Sequence, residues 1–211
     1  MIVKDRNILF LHPGKSGGTS IEAAFFNGKN PGSFSDFQKR YLRSGDRSVM
    51  FGWDSRARVY LQHADLRICK QINLDFNDYT TITIVRRPIE RVLSAYFYSG
   101  RGEKKEFNKF VIEDLEKVYK ANIVKGYTIN HFGPQHWYTQ NGNYKVDHII
   151  KLDTIEEDCK KLDIKLHNRK YAQTTASRKY KKHIDAYNKE TLEKIYSIYE
   201  QDFDIFKFKK E

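Results

Sequence analysis

Short apolar runs alternate with amphipathic stretches along most of the 211-residue chain. Residues 7–12 form a short apolar run, and Thr80–Val85 is almost wholly β-branched, a pattern typical of strands buried on both faces. Shorter runs predict two further strands, one at residues 59–62, which ends next to His63, and one at residues 146–152.

Helical periodicity fills much of the sequence between these runs. Pro88 stands at the favoured first position of a helix, and Ile89, Val92 and Tyr96 follow the helical period on one face. The same reasoning predicts further helices at residues 19–26, 34–42, 65–72, 107–118, 154–162 and 192–199. Strands that alternate with helices predict an α/β protein with a P-loop-like three-layer fold, in which helices flank a central parallel sheet. The chain length favours a single domain, residues 1–211.

A glycine-rich loop, Pro13 to Gly18, lies between the first predicted strand and the first predicted helix. Backbone N–H groups of such a loop converge on an anion, and the N-terminus of the following helix adds its dipole. Lys15 places a full positive charge beside these groups. Glycines also make tight turns, but a lysine between Gly14 and Gly17, directly after a buried strand, favours a phosphate-binding loop.

This loop differs from the loop that binds ATP. An ATP-type loop needs the pattern G-x-x-x-x-G-K-[ST], and Gly14, Lys15 and Ser16 fit its end. Leu9, however, occupies the position of its first glycine, so the loop is too short to wrap a triphosphate. A P-loop nucleotide kinase, which would also need Mg²⁺, is therefore the less favoured alternative to an enzyme with a different phosphate donor.

A second basic motif begins where the strand Thr80–Val85 ends. Arg86 follows the strand, and Arg91 and Ser94 lie three residues apart on the next helix, so they share a face. An arginine together with a hydroxyl suits a phosphate monoester. The alternative is an ordinary cluster of surface arginines in a basic chain.

The two motifs together resemble the donor-binding segments of carbohydrate sulfotransferases of the heparan and chondroitin type, which use 3′-phosphoadenosine-5′-phosphosulfate (PAPS). The first resembles the pattern P-K-T-G-G-T-S and the second the pattern R-x-P-x-x-R-x-x-S-A-Y. The segment from Gln62 to Asp65 resembles the H-A-D segment that holds the catalytic histidine of heparan sulfate 6-O-sulfotransferases. Residues 131–135 and 195–203 resemble later segments of the family.

The chain departs from these patterns in a few places. Gly14 stands between the proline and the lysine, Ser16 replaces a threonine, and Arg87 stands where an acid is common. The membrane anchor of the animal members is missing, so we expect a short soluble member of the family. Its acceptor is then a carbohydrate or another hydroxyl-bearing molecule.

The resemblance implies a role for each motif. The 5′-phosphosulfate of PAPS would be held by the loop and the start of its helix, at Lys15, Ser16, Gly17, Gly18, Thr19 and Ser20. Arg86 and Ser94 would hold the 3′-phosphate, with Arg178 closing over it from a basic loop. Lys15 would also stabilise the charge that grows on the leaving oxygen. The product would be 3′-phosphoadenosine-5′-phosphate (PAP), and the family needs no metal ion.

His63 is the predicted general base, since an imidazole with an ordinary pKa near about 6.5 accepts a proton well at neutral pH. Because it follows an apolar run, we expect it at the carboxyl end of a parallel strand, where the ligand crevice of such a sheet lies. Asp65 is too near in sequence to be assigned as its partner, and a structural histidine at a strand end is the alternative. His131 and then Glu22 are the next candidates for the base.

The net charge of +11 favours anionic ligands, and residues 160–182 hold nine Lys or Arg and one Asp. This charge favours an anionic acceptor, and it leaves open a basic nucleic-acid-binding module, for which no recognised motif is present. Cys69 and Cys159 are too few for a disulfide framework or a metal cluster. With no signal peptide and no apolar run long enough to span a bilayer, we expect a cytoplasmic protein without a membrane span.

Overall fold

A four-stranded sheet lies at the centre of the protein, in a computed structural model that describes residues 1–25, 45–101, 106–125, 131–166 and 187–210. The strands in chain order are β1 (Ile2–Val3), β2 (Ile8–Leu11), β3 (Trp53–Asp54), β4 (Val59–Tyr60), β5 (Thr80–Val85), β6 (Gln140–Asn141), β7 (Tyr144–Lys145) and β8 (His148–Lys151). The central sheet has the order β1-β2-β5-β8, in which β2, β5 and β8 are parallel and β1 is antiparallel to β2. The other strands form two small antiparallel pairs, β3 with β4 and β6 with β7.

The helices begin at residues that favour a helix start. They are α1 (Gly18–Phe25), α2 (Leu66–Gln71), α3 (Pro88–Tyr98), α4 (Phe107–Phe110), α5 (Glu116–Lys125), α6 (Ile155–Lys161), α7 (Lys189–Ile198) and α8 (Glu200–Phe206). Asp65 caps α2 by accepting from the N–H groups of Arg67 and Ile68, and Pro88 opens α3. A π-helical turn, Val111–Leu115, joins α4 to α5.

Alternating side chains on β2 cover both faces of the sheet. Ile8 and Phe10 pack into one core cluster with Ile21 of α1. Leu9 and Leu11 face the other way, into a cluster that includes Leu66 of α2. Burying one such aliphatic or aromatic side chain stabilises the fold by about 1.5–3 kcal/mol. The three-layer α/β fold with a mostly parallel central sheet, predicted from the sequence, is thereby confirmed.

A third apolar cluster is formed mainly by helices, with Phe132 from the turn at residues 131–133. It joins α3, α4, the π-helical turn, α7 and α8 around aromatic residues such as Tyr96, Phe110 and Phe203. This cluster anchors α3, which starts three residues after β5 ends. The carboxyl end of β5 is therefore held between the sheet and a helical cluster.

Some predicted elements differ from the observed ones. The predicted strand at residues 59–62 is only Val59–Tyr60, and it pairs with β3 outside the central sheet. It stops there because Leu61–His63 form a 3-10 helical turn, in which the Gln62 side chain accepts from the N–H of Gly52. The predicted helix at residues 34–42 lies outside the described residues. Within the described ranges, no helix combines the length and the apolar character needed to cross a bilayer.

Candidate active site at the carboxyl end of the sheet

The loop after β2 takes a backbone shape that few residue types adopt. Lys15 has φ of 67° and Gly17 has φ of 91°, both in the left-handed region. A side chain at Gly17 would also meet Leu152, since its Cβ would lie 2.7 Å from Cδ1. Left-handed residues that alternate with right-handed ones can turn backbone N–H groups toward one point, a geometry that suits an anion.

Lys15 is half-buried beside an aromatic ring. Its Nζ is 3.9 Å from the centroid of the Tyr98 ring. Burial, and next the like charge of Arg86, lower the pKa of Lys15 to about 8. The ammonium group is thus still mostly protonated at pH 7, and an anion beside it would relieve both effects.

Arg86 brings the second basic motif to this loop. It directly follows β5, and its Nη1 lies 3.5 Å from the carbonyl oxygen of Lys15. Its Nε donates to Glu90, one helical turn later, at 3.1 Å. The two motifs, distant in sequence, therefore meet at the carboxyl ends of adjacent parallel strands. Ser94 lies half-buried two turns into α3.

Three hydroxyl residues, Ser16, Thr19 and Ser20, lie in the loop and at the start of α1, and their surroundings differ. Ser16 is fully buried, and its hydroxyl donates to Oε1 of Gln135 at 3.1 Å. Its side chain thus faces the interior rather than the loop's outer side. Thr19 is exposed and Ser20 is half-buried, both in the first turn of α1. The Ser20 N–H already donates to the Gly17 carbonyl at 3.0 Å.

Arg91 has a different environment from the one that its position beside Ser94 suggests. Its guanidinium is buried, and it donates to the carbonyl oxygens of Gly14 at 2.8 Å and Gly133 at 2.6 Å. It therefore braces the glycine-rich loop against the segment at residues 131–135. Its donors are directed at backbone, so it is a brace and not an open phosphate-binding arginine.

His63 reaches the same loop from the 3-10 turn. Its Nδ1 lies 2.8 Å from the carbonyl oxygen of His12, the residue before Pro13. Because a carbonyl oxygen only accepts, Nδ1 carries the proton and Nε2 is left with its lone pair. The Tyr138 hydroxyl donates to the carbonyl of His63 at 2.9 Å and fixes the backbone. Asp65 caps α2 and so does not orient His63.

Three histidine rings lie in a row beside the loop. The centroids of His12 and His63 are 4.5 Å apart, and those of His63 and His131 are 6.2 Å apart. Burial is the largest cause that lowers the pKa values of His63 and His131, each to about 3. Both are thus neutral at pH 7, and the pKa of His63 lies below the ordinary value of about 6.5 on which its predicted role was based.

His12 and Glu22 form a buried pair beneath this row. His12 Nδ1 lies 2.9 Å from Glu22 Oε1, and both residues are at most 5% exposed. Burial pushes the pKa of Glu22 upward, but the charge and then the hydrogen bond of His12 outweigh it, so the pKa is lowered. Glu22 is therefore committed to His12, which removes it as the third candidate for the base.

The structure describes most, but not all, of the site residues predicted from the sequence. Arg178 lies outside the described residues, as does the basic stretch from residue 167 onward. Gln135 links the two motifs, but the sequence predicts no role for it beyond its place in a family-like segment. No local pattern separates a buried amide from an exposed one. Among the residues that the structure describes, no group of three His, Cys, Asp or Glu is arranged to hold a metal ion.

Comparison with known proteins agrees with the motifs. No curated protein and no solved structure matches the chain. A family model, described as the sulfotransferase family, matches residues 1–209, which is nearly the whole chain. The resemblance stated from the two donor motifs is thereby confirmed at the level of the family. This chain belongs to the sulfotransferase family.

Proposed function

We propose that the chain transfers the sulfuryl group of PAPS to an acceptor hydroxyl, with His63 as general base. Membership of the family already supports sulfuryl transfer. The observation that carries the finer proposal is the convergence on one loop. Arg86 Nη1 lies 3.5 Å from the Lys15 carbonyl, and His63 Nδ1 lies 2.8 Å from the His12 carbonyl at the other end of the loop.

The donor's two charged ends suit the two basic motifs. Backbone N–H groups of Gly17, Gly18 and Thr19, with Lys15, would hold the 5′-phosphosulfate. Arg86 and Ser94 would hold the 3′-phosphate, since a guanidinium and a hydroxyl suit a phosphate monoester. Ser16 would shape the loop rather than bind the donor with its side chain, because its hydroxyl donates to Gln135 and its N–H donates to the Pro13 carbonyl at 3.4 Å.

The transfer step assigns a separate role to each group. The acceptor oxygen forms a bond to sulfur as its proton passes to Nε2 of His63. The bond from sulfur to the bridging oxygen breaks, and its electron pair stays on the 5′-phosphate of the departing PAP. Lys15 stabilises the negative charge that grows on that oxygen. Lys15 supplies positive charge at the reacting end of the donor for an in-line transfer akin to phosphoryl transfer, so we propose no metal ion in it.

The acceptor is proposed to be a carbohydrate that is itself anionic. The support is the net charge of +11 and the resemblance of the motifs to carbohydrate sulfotransferases. Exposed charges are screened within about 8 Å at physiological ionic strength, so the acceptor's KM should rise as salt is added. A KM that does not change with salt, or a strict preference for neutral acceptors, would contradict an anionic acceptor.

The test of the proposed reaction is PAP release from PAPS, measured with a panel of neutral, carboxylated and sulfated glycans. We expect at least one glycan to raise PAP release above the rate of PAPS hydrolysis, and the sulfur to appear on that glycan. The proposal fails if no hydroxyl acceptor of any class does so.

Thermal shift separates the alternatives in the same preparation. A ligand at about 100 times its dissociation constant adds about 2.7 kcal/mol to the free energy of unfolding. PAP should therefore stabilise the protein more than ATP·Mg²⁺ does, whereas a nucleotide kinase would show the reverse.

A mobility shift with random DNA across salt concentrations tests the nucleic-acid-binding alternative, for which we expect weak, salt-sensitive binding only.

A further inference from the structure

We propose that Gln135 is a positioning residue, which holds the glycine-rich loop and Arg86 at one fixed separation so that a donor with two phosphates is recognised as a unit. Gln135 is fully buried and touches both motifs. This role rests on the proposed function, because it takes the loop and Arg86 to be the two phosphate sites.

Every polar atom of the Gln135 side chain is used in this link. Its Oε1 accepts from the Ser16 hydroxyl at 3.1 Å and from the Arg86 N–H at 2.8 Å. Its Nε2 donates to the Arg86 carbonyl oxygen at 2.8 Å and to Asp202 Oδ2 at 3.5 Å. A side-chain amide offers two lone pairs and two N–H groups, so its capacity is filled.

The pairing with Arg86 continues the sheet by one residue. The register between β5 and β8 ends at the pair Val85 and Lys151, and Arg86 lies one residue beyond. Gln135 bonds both the N–H and the carbonyl of Arg86, as a neighbouring strand would. The backbone from which the Arg86 guanidinium extends is therefore held by this one side chain.

Asp202 on α8 fixes Gln135 from behind. The Gln135 N–H donates to both carboxylate oxygens, at 2.9 and 3.1 Å. The His136 N–H and Nδ1 donate to Oδ1, at 2.9 and 2.8 Å. Asp202 is fully buried, and hydrogen bonds to an ionised acceptor are about twice as strong as neutral ones. The last helix of the described chain thus anchors the link between the two motifs.

The consequence for binding follows from the shape of the donor. PAP carries its 5′- and 3′-phosphates on one ribose, so the distance between the two is limited. The loop after β2 and the end of β5 are separate elements, so a relative shift between them would change the distance that the two phosphates must span. The gain in affinity that the second phosphate brings should therefore depend on Gln135.

The experiment measures the affinities of PAP and of adenosine 5′-phosphate by calorimetry and takes their ratio. Gln135→Met keeps the length of the side chain but removes its hydrogen bonds, and we expect the preference for PAP to fall about tenfold. Thr81→Val is the matched control, because it removes another buried hydrogen bond, from the Thr81 hydroxyl to Asp147 at 2.7 Å, at the opposite end of β5 from Arg86. Its ratio should equal that of the wild type.

Ser16→Ala is a milder variant that removes only the link to the loop, and it serves if Gln135→Met does not fold. We expect it to lower the preference for PAP about threefold. An unchanged ratio in a folded variant, or an equal fall in Thr81→Val, overturns the positioning role. A wild type that shows no preference for PAP instead overturns the assignment of the 3′-phosphate site, and the positioning role with it.

Discussion

The two ends of the central sheet use polar residues in opposite ways. At the amino end of β5, the Thr81 hydroxyl donates to Asp147 at 2.7 Å and accepts from the Tyr144 hydroxyl at 2.9 Å and the Asp147 N–H at 3.0 Å. The Thr81 N–H also donates to Asp147, and this bond is the largest cause that lowers the carboxyl's pKa. These groups satisfy one another, which is what a structural contact requires.

At the carboxyl end of the same strands, like charges are brought together. Lys15 lies near Arg86, and its pKa is lowered to about 8 by burial and then by that neighbour. His63 is held neutral, with Nδ1 bonded to a carbonyl and Nε2 unprotonated. Titratable groups in a cleft whose pKa values are shifted by burial and by neighbouring charges are typical of functional sites.

The difference extends to the surfaces around each end. A groove of about 580 Å³ at the amino end is lined by Asn77, Asp78, Tyr79, Thr80, Asp147 and His148. Its carboxylates would repel a polyanionic donor, whereas Lys15 and Arg86 would attract one. Substitutions at the carboxyl end should therefore change turnover and donor binding, and substitutions at the amino end should change stability alone.

The largest expected effect is that of His63→Ala. Loss of a general base costs about 10²–10⁴-fold in turnover, while PAP affinity should stay almost unchanged because His63 meets the acceptor. Steady-state rates and calorimetry on the same preparation measure both. If PAP binding falls in parallel with turnover, the base lies elsewhere, with His131 as the next candidate.

Lys15→Ala should have the second largest effect. We expect turnover to fall about 10²–10³-fold, the usual scale for removing a donor to developing negative charge. Lys145→Ala, an exposed lysine on β7 near the amino end, is the matched control and should retain wild-type turnover. Near-normal turnover in folded Lys15→Ala would remove the loop from the donor site.

Arg86→Ala and Ser94→Ala should each weaken PAP binding about tenfold or more, because a hydrogen bond to a charged group contributes about 1.5–3 kcal/mol. Adenosine 5′-phosphosulfate lacks the 3′-phosphate, so its affinity should change little. Calorimetry with both ligands measures the difference, and equal losses for the two would contradict a 3′-phosphate site at these residues.

Lys15 should also make PAP affinity depend on pH. The lysine is charged below its pKa of about 8 and neutral above it, and the anion binds the charged form more tightly. PAP affinity should then fall as the pH rises through about 8, by at most about tenfold per pH unit. Lys15→Arg, which stays charged, should lose this dependence; a variant that keeps it would assign the titration to another group.

The smallest effect on catalysis is expected at the amino end. Thr81→Val removes the hydroxyl that joins Asp147 and Tyr144, and should lower the free energy of unfolding by about 1–3 kcal/mol. Turnover and PAP affinity measured well below the melting temperature should remain those of the wild type. A loss of turnover without a loss of stability would contradict a purely structural role for the amino end of the sheet.

Local sequence patterns were enough to predict part of this site. The Lys15 loop and Arg86 follow β2 and β5 directly, so adjacent parallel strands bring them together. His63 was predicted for a partly wrong reason, since it lies in a 3-10 turn outside the parallel sheet. It reaches the loop through a bond to His12, a contact 51 residues away in sequence.

The links that hold the site together could not be predicted in the same way. Gln135 contacts Ser16 across 119 residues, and its own backbone is fixed by Asp202 across 67. Such contacts depend on how the helical cluster packs against the sheet, which no local period of the sequence records. The buried pair of His12 and Glu22 is similar, because nothing in α1 marks one glutamate as facing inward.

The central claim, that the carboxyl end of the sheet is a PAPS site, is tested most directly by titrating PAP into the wild-type protein by calorimetry, alone and then in the presence of ATP·Mg²⁺. We expect one PAP to bind per chain, with an affinity that excess ATP·Mg²⁺ changes little and that Arg86→Ala reduces. A protein that gives no binding heat with PAP, or that binds ATP·Mg²⁺ more tightly than PAP, would contradict the claim.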